Sequence, residues 1–175
     1  MMAADEGAAI LETNNDGPKI PDAKKTKFDV IIIGAGPSGY TAGIYCSRAG
    51  YDTLILSGIL PGGQLVNTTE VENYPGFENG IMGPDLMIDM RKQSQKMGTT
   101  IIDDVAVDVD FRRAPYKVLT GSEEYEGRAV IIATGANPRK MGISGEEEFS
   151  GKGVSYCATC DGPFFKNLEL IVVGG

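Results

Sequence analysis

The stretch FDVIIIGAGPSGYTAGIYCSRAG, residues 28 to 50, limits what this chain can fold into more than any other. Phe28 to Ile33 is a short apolar run rich in β-branched residues, the pattern of a strand buried on both faces. A glycine turn follows. Tyr40 to Ala49 then carries helical periodicity, and Gly50 stops it. The next segment, DTLILSG, reads as a second buried strand, which completes a β-α-β unit. Within the turn, Gly34, Gly36 and Gly39 match G-x-G-x-x-G between a strand and a helix, the context in which that pattern signals dinucleotide binding. Gly34 permits the tight turn, Gly36 lets the backbone approach a pyrophosphate, and Gly39 lets the helix pack on the strand. The helix N-terminus then offers N–H groups to the phosphates. One usual companion is absent. An acid about 20 residues past the loop normally binds a ribose hydroxyl, but Ser57 stands there, leaving Ser57 and Gly58 to contact the ribose.

Further along, a long glycine- and asparagine-containing connection runs from Gly58 to Gly83. PDLMIDMRKQSQKMG is an amphipathic helix, with Pro84 near its start and Gly98 at its end. TTIIDDVAVDVDF and YKVLTG read as strands, as does Ala129 to Ala133, which runs into another glycine turn. NPRKMGISGEEEFSGKG is polar and reads as a domain boundary, and LELIVVGG as the opening of a further strand. The expected class is α/β: a three-layer, doubly wound Rossmann-like domain over residues 28–137, and the start of a second similar domain over 138–175. Residues 1–27 read as a disordered acidic tail without the features of a signal peptide.

Composition excludes several functions. The net charge of −8 would repel a phosphate backbone, so no nucleic-acid partner is expected. No apolar run reaches the roughly 18 residues a membrane span needs. There is no histidine, which removes imidazole–zinc sites and Ser-His-Asp or Cys-His catalysis. Proton transfer is left to carboxylates, thiols, tyrosine, lysine or water. Three cysteines do not make a secreted disulfide framework, and a reducing cytoplasmic setting is expected. Two of them, Cys157 and Cys160, form a C-x-x-C pair followed by Asp161. That spacing alone fits a metal clip, a structural disulfide or a redox pair.

The segments IIIGAGPSGYTAGIY, PGGQLVNTTEVENYPGF, VIIATGANPR, CATCDGPFF and IVVGG, in that order, resemble the low-molecular-weight thioredoxin reductases from Phe28 to the last residue. The resemblance implies an FAD enzyme that takes electrons from NADPH and reduces a disulfide in a small partner such as thioredoxin, working as a homodimer. It implies that Gly34, Gly36, Pro37 and Ser38 lie at the FAD pyrophosphate, with Ser57 and Gly58 near the adenosine ribose. It places Gly62, Gly63, Gln64 and Leu65, with Thr69 and Asn73, along the flavin ring and ribityl chain, and Ala133, Thr134 and Gly135 over the cofactor. Cys160 is then the cysteine facing the flavin, Cys157 the one that attacks the partner, and Asp161 the proton donor to the leaving thiolate. A single pair without histidine lacks the four ligands of a zinc site, so no metal is expected, and Cys46 reads as a small buried apolar residue. The family continues beyond the second glycine loop, where this sequence stops at Gly175, so a fragment is the expected reading. Relatives that use ferredoxin or oxidise small-molecule dithiols share the cysteine motif. They stay open as alternatives, as does a non-enzymatic flavin- or nucleotide-binding module.

Overall fold

The computed structural model describes residues 25–174, apart from the side chains of Thr159, Cys160 and Pro163. Most of the acidic tail, residues 1–24, lies outside the described residues. The order begins with strand β1 (Lys27–Ile33), helix α1 (Pro37–Arg48) and strand β2 (Thr53–Leu56). A single-turn 3-10 segment, Gly63–Asn67, and a two-stranded ribbon of β3 (Glu70–Val71) with β4 (Ile81–Met82) occupy the long connection. Helix α2 (Gly83–Lys96) follows, then β5 (Thr100–Ile102), β6 (Ala106–Asp110), β7 (Tyr116–Thr120), β8 (Glu124–Ile132) and the short α3 (Ala158–Asp161).

Six strands form one sheet in the order β5-β2-β1-β8-β7-β6. β1 runs parallel to β2 and β8, and β2 parallel to β5, whereas β6, β7 and β8 form an antiparallel meander. This is an α/β, Rossmann-like fold. β1 is central because its run is apolar on both faces. Val30 and Ile32 pack under the helices with Tyr40, Leu86, Met87 and Met90, while Phe28 and Ile31 join Leu54, Leu56, Val118 and Tyr125 on the other side. Burying each such side chain stabilises by about 1.5–3 kcal/mol.

Helices α1 and α2 pack together over Val30 and Ile32, and Val118 and Tyr125 of the meander cluster with Ile31, Leu54 and Leu56. The β7–β8 turn reaches across to the far edge of the sheet, where the Ser122 hydroxyl bonds Asp104, just past β5, at 3.0 Å. Helix limits follow local chemistry. Pro37 opens α1 and Gly50 (φ 86°) turns the chain after it; Pro84 opens α2 and Gly98 (φ 102°) closes it.

Where α1 crosses α2, Gly43 removes the side chain between them. A Cβ there would stand 2.7 Å from Ser94 Oγ and 2.8 Å from Ile55 Cδ1. Gly43→Val should therefore lower unfolding stability in urea by about 1–3 kcal/mol through overpacking. An unchanged midpoint would contradict this contact.

Three expectations change. β1 starts at Lys27, one residue inside the expected tail, because Glu126 N–H bonds the Thr26 carbonyl at 2.9 Å and extends the pairing with β8. LELIVVGG does not form a strand over the described residues 168–174. It has no partner strand there, and Ile171 and Val172 stand 93% and 82% exposed; β-propensity without pairing does not make a strand. Phe164, whose apolar ring would by itself place it in a core, stands 69% exposed.

Candidate functional site

The parallel strands β1, β2 and β8 all end at one edge of the sheet. The chain leaves β1 for β2 on one side, and β8 arrives on the other. Ligands of open α/β sheets bind in the crevice outside such a switch point. A cleft of about 440 Å³ opens there. The glycine loop, with Gly34, Gly36, Pro37 and Ser38, forms its floor, and Ser57 and Gly58 form one wall. Gly63, Gln64 and Leu65 overhang it from the 3-10 segment, and Ala133, Thr134 and Gly135 close the side after β8. Gln64 ties the two overhanging loops together, its amide donating to Asn137 Oδ1 at 2.6 Å.

The glycines do different work. A Cβ on Gly34 (φ 109°) would overlap the Ala133 carbonyl, and one on Gly39 the Gly34 carbonyl. These two are required by the fold itself. Gly36 has φ −82°, which any residue adopts, and a Cβ there would meet no protein atom within 4 Å. Neither backbone nor packing asks for glycine at that position. The space above it faces the cleft, where a bound group would come within van der Waals reach of the main chain. No side chain caps α1, so its first-turn N–H groups remain for a ligand. The donor set, backbone N–H groups with few charges, fits a pyrophosphate-containing dinucleotide such as FAD.

Three expected cofactor residues do not line the cleft. Gly62 is buried, with a would-be Cβ 2.5 Å from Val66 Cγ1, and its N–H bonds the Ala35 carbonyl at 2.8 Å. It fastens the 3-10 segment to the glycine loop. The Thr69 carbonyl accepts the Gly83 N–H at 2.8 Å and anchors the start of α2. Asn73 is exposed. Conversely, Leu56, Ile59, Leu60, Val105 and Ala106 line the cleft without any motif to announce them; only their position after strand ends β2 and β5 could have pointed to them.

At the wall, Ser57 is 4% exposed and donates to Asp103 Oδ1 at 2.8 Å. Arg91 of α2 grips the same carboxylate with two bonds, at 2.8 and 2.9 Å. The Arg91 bonds, with a lesser contribution from Ser57, hold the Asp103 carboxyl below the usual carboxylate range. Burial pushes the neighbouring Tyr40 hydroxyl upward, against the pull of Arg91.

The cysteine turn lies beyond the polar segment. Cys157 is half-buried and disulfide-bonded, and Cys46 is a free, half-buried thiol packed beside α1's core residues. The Cys160 side chain lies outside the described residues. Neither Cys157 nor Asp161 lines the cleft. Ser155 clips this turn: its hydroxyl donates to Asp161 Oδ2 at 2.5 Å and accepts the Cys157 N–H at 3.1 Å. Asp161 precedes the 3-10 turn Gly162–Phe165 without capping it through its side chain. Ahead of the turn, Glu146 accepts the Tyr156 hydroxyl at 2.7 Å and the N–H groups of Met141 and Gly142. Those bonds, Tyr156 first, lower the Glu146 carboxyl from its ordinary value.

Residues 28–175 match the pyridine nucleotide-disulphide oxidoreductase family. The chain belongs to that family. Among its relatives in the family, the thioredoxin reductase of Listeria monocytogenes serovar 1/2a is 57% identical over 150 residues, covering 85% of this chain and 46% of the relative. The structure of a thioredoxin reductase from Giardia duodenalis superposes with a TM-score of 0.73 at 39% identity, covering 79% of this chain and 45% of that one. The Streptococcus pyogenes MGAS5005 enzyme gives 0.73 at 41% identity, covering 80% and 45%. The chain thus spans about half the length of the family members it matches. Among the described residues no helix is long and apolar enough to cross a membrane.

Proposed function

We propose that this chain is the flavin-binding part of a thioredoxin reductase: an FAD-dependent dithiol–disulfide oxidoreductase that uses NADPH and reduces thioredoxin. The observation that carries the reading is the cleft open above Gly36, in a chain whose Cys157 sits in a disulfide. Gly34, Gly36, Pro37 and Ser38 hold the pyrophosphate; Ser57 and Gly58 face the ribose. Gly63, Gln64 and Leu65 flank the flavin, supported from behind by Gly62 and Thr69, with Asn73 nearby, and Ala133 to Gly135 cover it. FAD bound there supplies two-electron transfer between a nicotinamide and a disulfide. The remaining parts of the proposal, a cytoplasmic setting and a homodimer, follow the family resemblance.

The chain's own sulfurs then carry the exchange. With Cys157 and Cys160 reduced, the Cys157 thiolate attacks the partner's disulfide, forming a mixed disulfide and releasing one partner thiolate. The Cys160 thiolate attacks Cys157, re-forms the internal disulfide and releases the second. The partner gains two electrons and two protons. Asp161 is the acid placed to deliver a proton, held in the frame of the turn by Ser155.

The test is to purify the protein with its native C-terminus and record its absorbance. A yellow flavin spectrum is expected, bleached by NADPH and restored by oxidised thioredoxin. Protein that stays colourless when offered FAD would overturn the reading. Bleaching by reduced ferredoxin and not by NADPH would replace the donor.

A further inference from the structure

The end of β2 lacks the acid that usually recognises a ribose, and the structure places a carboxylate behind Ser57 instead. Asp103 comes from the end of the neighbouring strand β5. Ser57 has one proton to give, and Asp103 Oδ1 lies 2.8 Å away, against 3.4 Å to the Gly58 carbonyl. Asp103 cannot return the favour. Both its oxygens receive Arg91 N–H groups, and a carboxylate in a bidentate pair with guanidinium is ionised and accepts only. The direction of the Ser57 bond is therefore fixed. Ser57 lines the cleft, and with its proton committed to Asp103 its hydroxyl has only oxygen lone pairs left to offer a bound group, made more basic by the carboxylate.

We infer that Asp103, acting through Ser57, is a positioning residue that makes this wall an acceptor for a free ribose hydroxyl. This deepens the FAD reading and rests on it. A hydroxyl donates into the site. A deoxyribose leaves the acceptor unfilled. A phosphate on the same carbon brings acceptor oxygens against an acceptor backed by a carboxylate. The recognition normally built on the end of β2 is delivered from β5 by a two-residue relay, held in place by Arg91 on α2.

The experiment uses full-length protein stripped of flavin. FAD rebinding is followed by quenching of flavin fluorescence, in competition with ADP, 2′-deoxy-ADP, 3′-deoxy-ADP and 2′-phospho-ADP. Competition against FAD confines the readout to this cleft. With wild-type protein, ADP should compete about five- to tenfold better than one of the two deoxynucleotides, the worth of one hydrogen bond to a polarised acceptor. Where the 2′-hydroxyl is the one recognised, ADP should also outcompete 2′-phospho-ADP. Ser57→Ala and Asp103→Ala should each shrink that preference to within about twofold. Circular dichroism and the melting temperature of flavin-free Asp103→Ala should match wild type, which separates loss of the relay from loss of the fold. If Asp103→Ala discriminates as wild type does, or wild type discriminates against neither deoxynucleotide, the relay is overturned while the FAD reading stands. If FAD itself does not bind, both fall.

Discussion

Full-length protein carrying Gly36→Val is expected to fold normally and to purify without flavin. Valine is compatible with the backbone, since φ is −82°. A Cβ there meets no protein atom within 4 Å, so the substitution begins in open space. The added side chain instead fills the space where the main chain must come within van der Waals distance of a pyrophosphate. Loss of FAD affinity by about a hundredfold or more is expected, equivalent to roughly 3 kcal/mol. Circular dichroism and the melting temperature of the flavin-free protein should match wild type. Gly34→Val and Gly39→Val give the contrasting result: a Cβ at either overlaps a backbone carbonyl, so those proteins lose stability before binding is measured. FAD binding by Gly36→Val with unchanged Kd would remove the central reason for placing a dinucleotide in this cleft.

That contrast also marks how far the sequence reaches. The glycine pattern, the strand before it and the helix after it were readable because all three are local. So was α2, bracketed by Pro84 and Gly98. The division of labour among Gly34, Gly36 and Gly39 was readable from their spacing in the motif; the surface that Gly34 packs against was not, since Ala133 lies nearly a hundred residues on. Gly62 belongs to a motif implied to touch cofactor, yet it packs against Val66 and Met87. Asp103 sits in TTIIDD, an ordinary strand end by pattern, and its partner Ser57 is 46 residues away. A pairwise contact of that separation leaves no periodic trace. LELIVVGG failed in the opposite way: its composition favours a strand, but strands need neighbours, and composition does not say whether one is present. TTIIDDVAVDVDF looked like one extended stretch, yet the chain turns inside it and sends β5 and β6 to opposite edges of the sheet.

Replacing Cys157 or Cys160 singly with serine should cut turnover of a disulfide partner by about a thousandfold or more, because each exchange step needs a sulfur nucleophile and serine offers none at neutral pH. FAD uptake and bleaching by NADPH should persist in both variants, since Cys157 lies outside the cleft wall and dinucleotide binding does not draw on the pair. The two variants should differ in trapping. When a partner carries its exposed cysteine as a mixed disulfide with thionitrobenzoate, the Cys160→Ser protein should attack through Cys157, release the coloured thiolate and stay covalently joined. It then lacks the second sulfur that would free it. Cys157→Ser should couple far more slowly, because the remaining thiol is the one assigned to face the flavin. The carboxylate of Asp161 belongs to the same unit through Ser155, whose hydroxyl joins it to the Cys157 amide. Wild-type turnover in both serine variants would mean that the pair carries no electrons, and the reverse trapping pattern would exchange the roles of the two sulfurs.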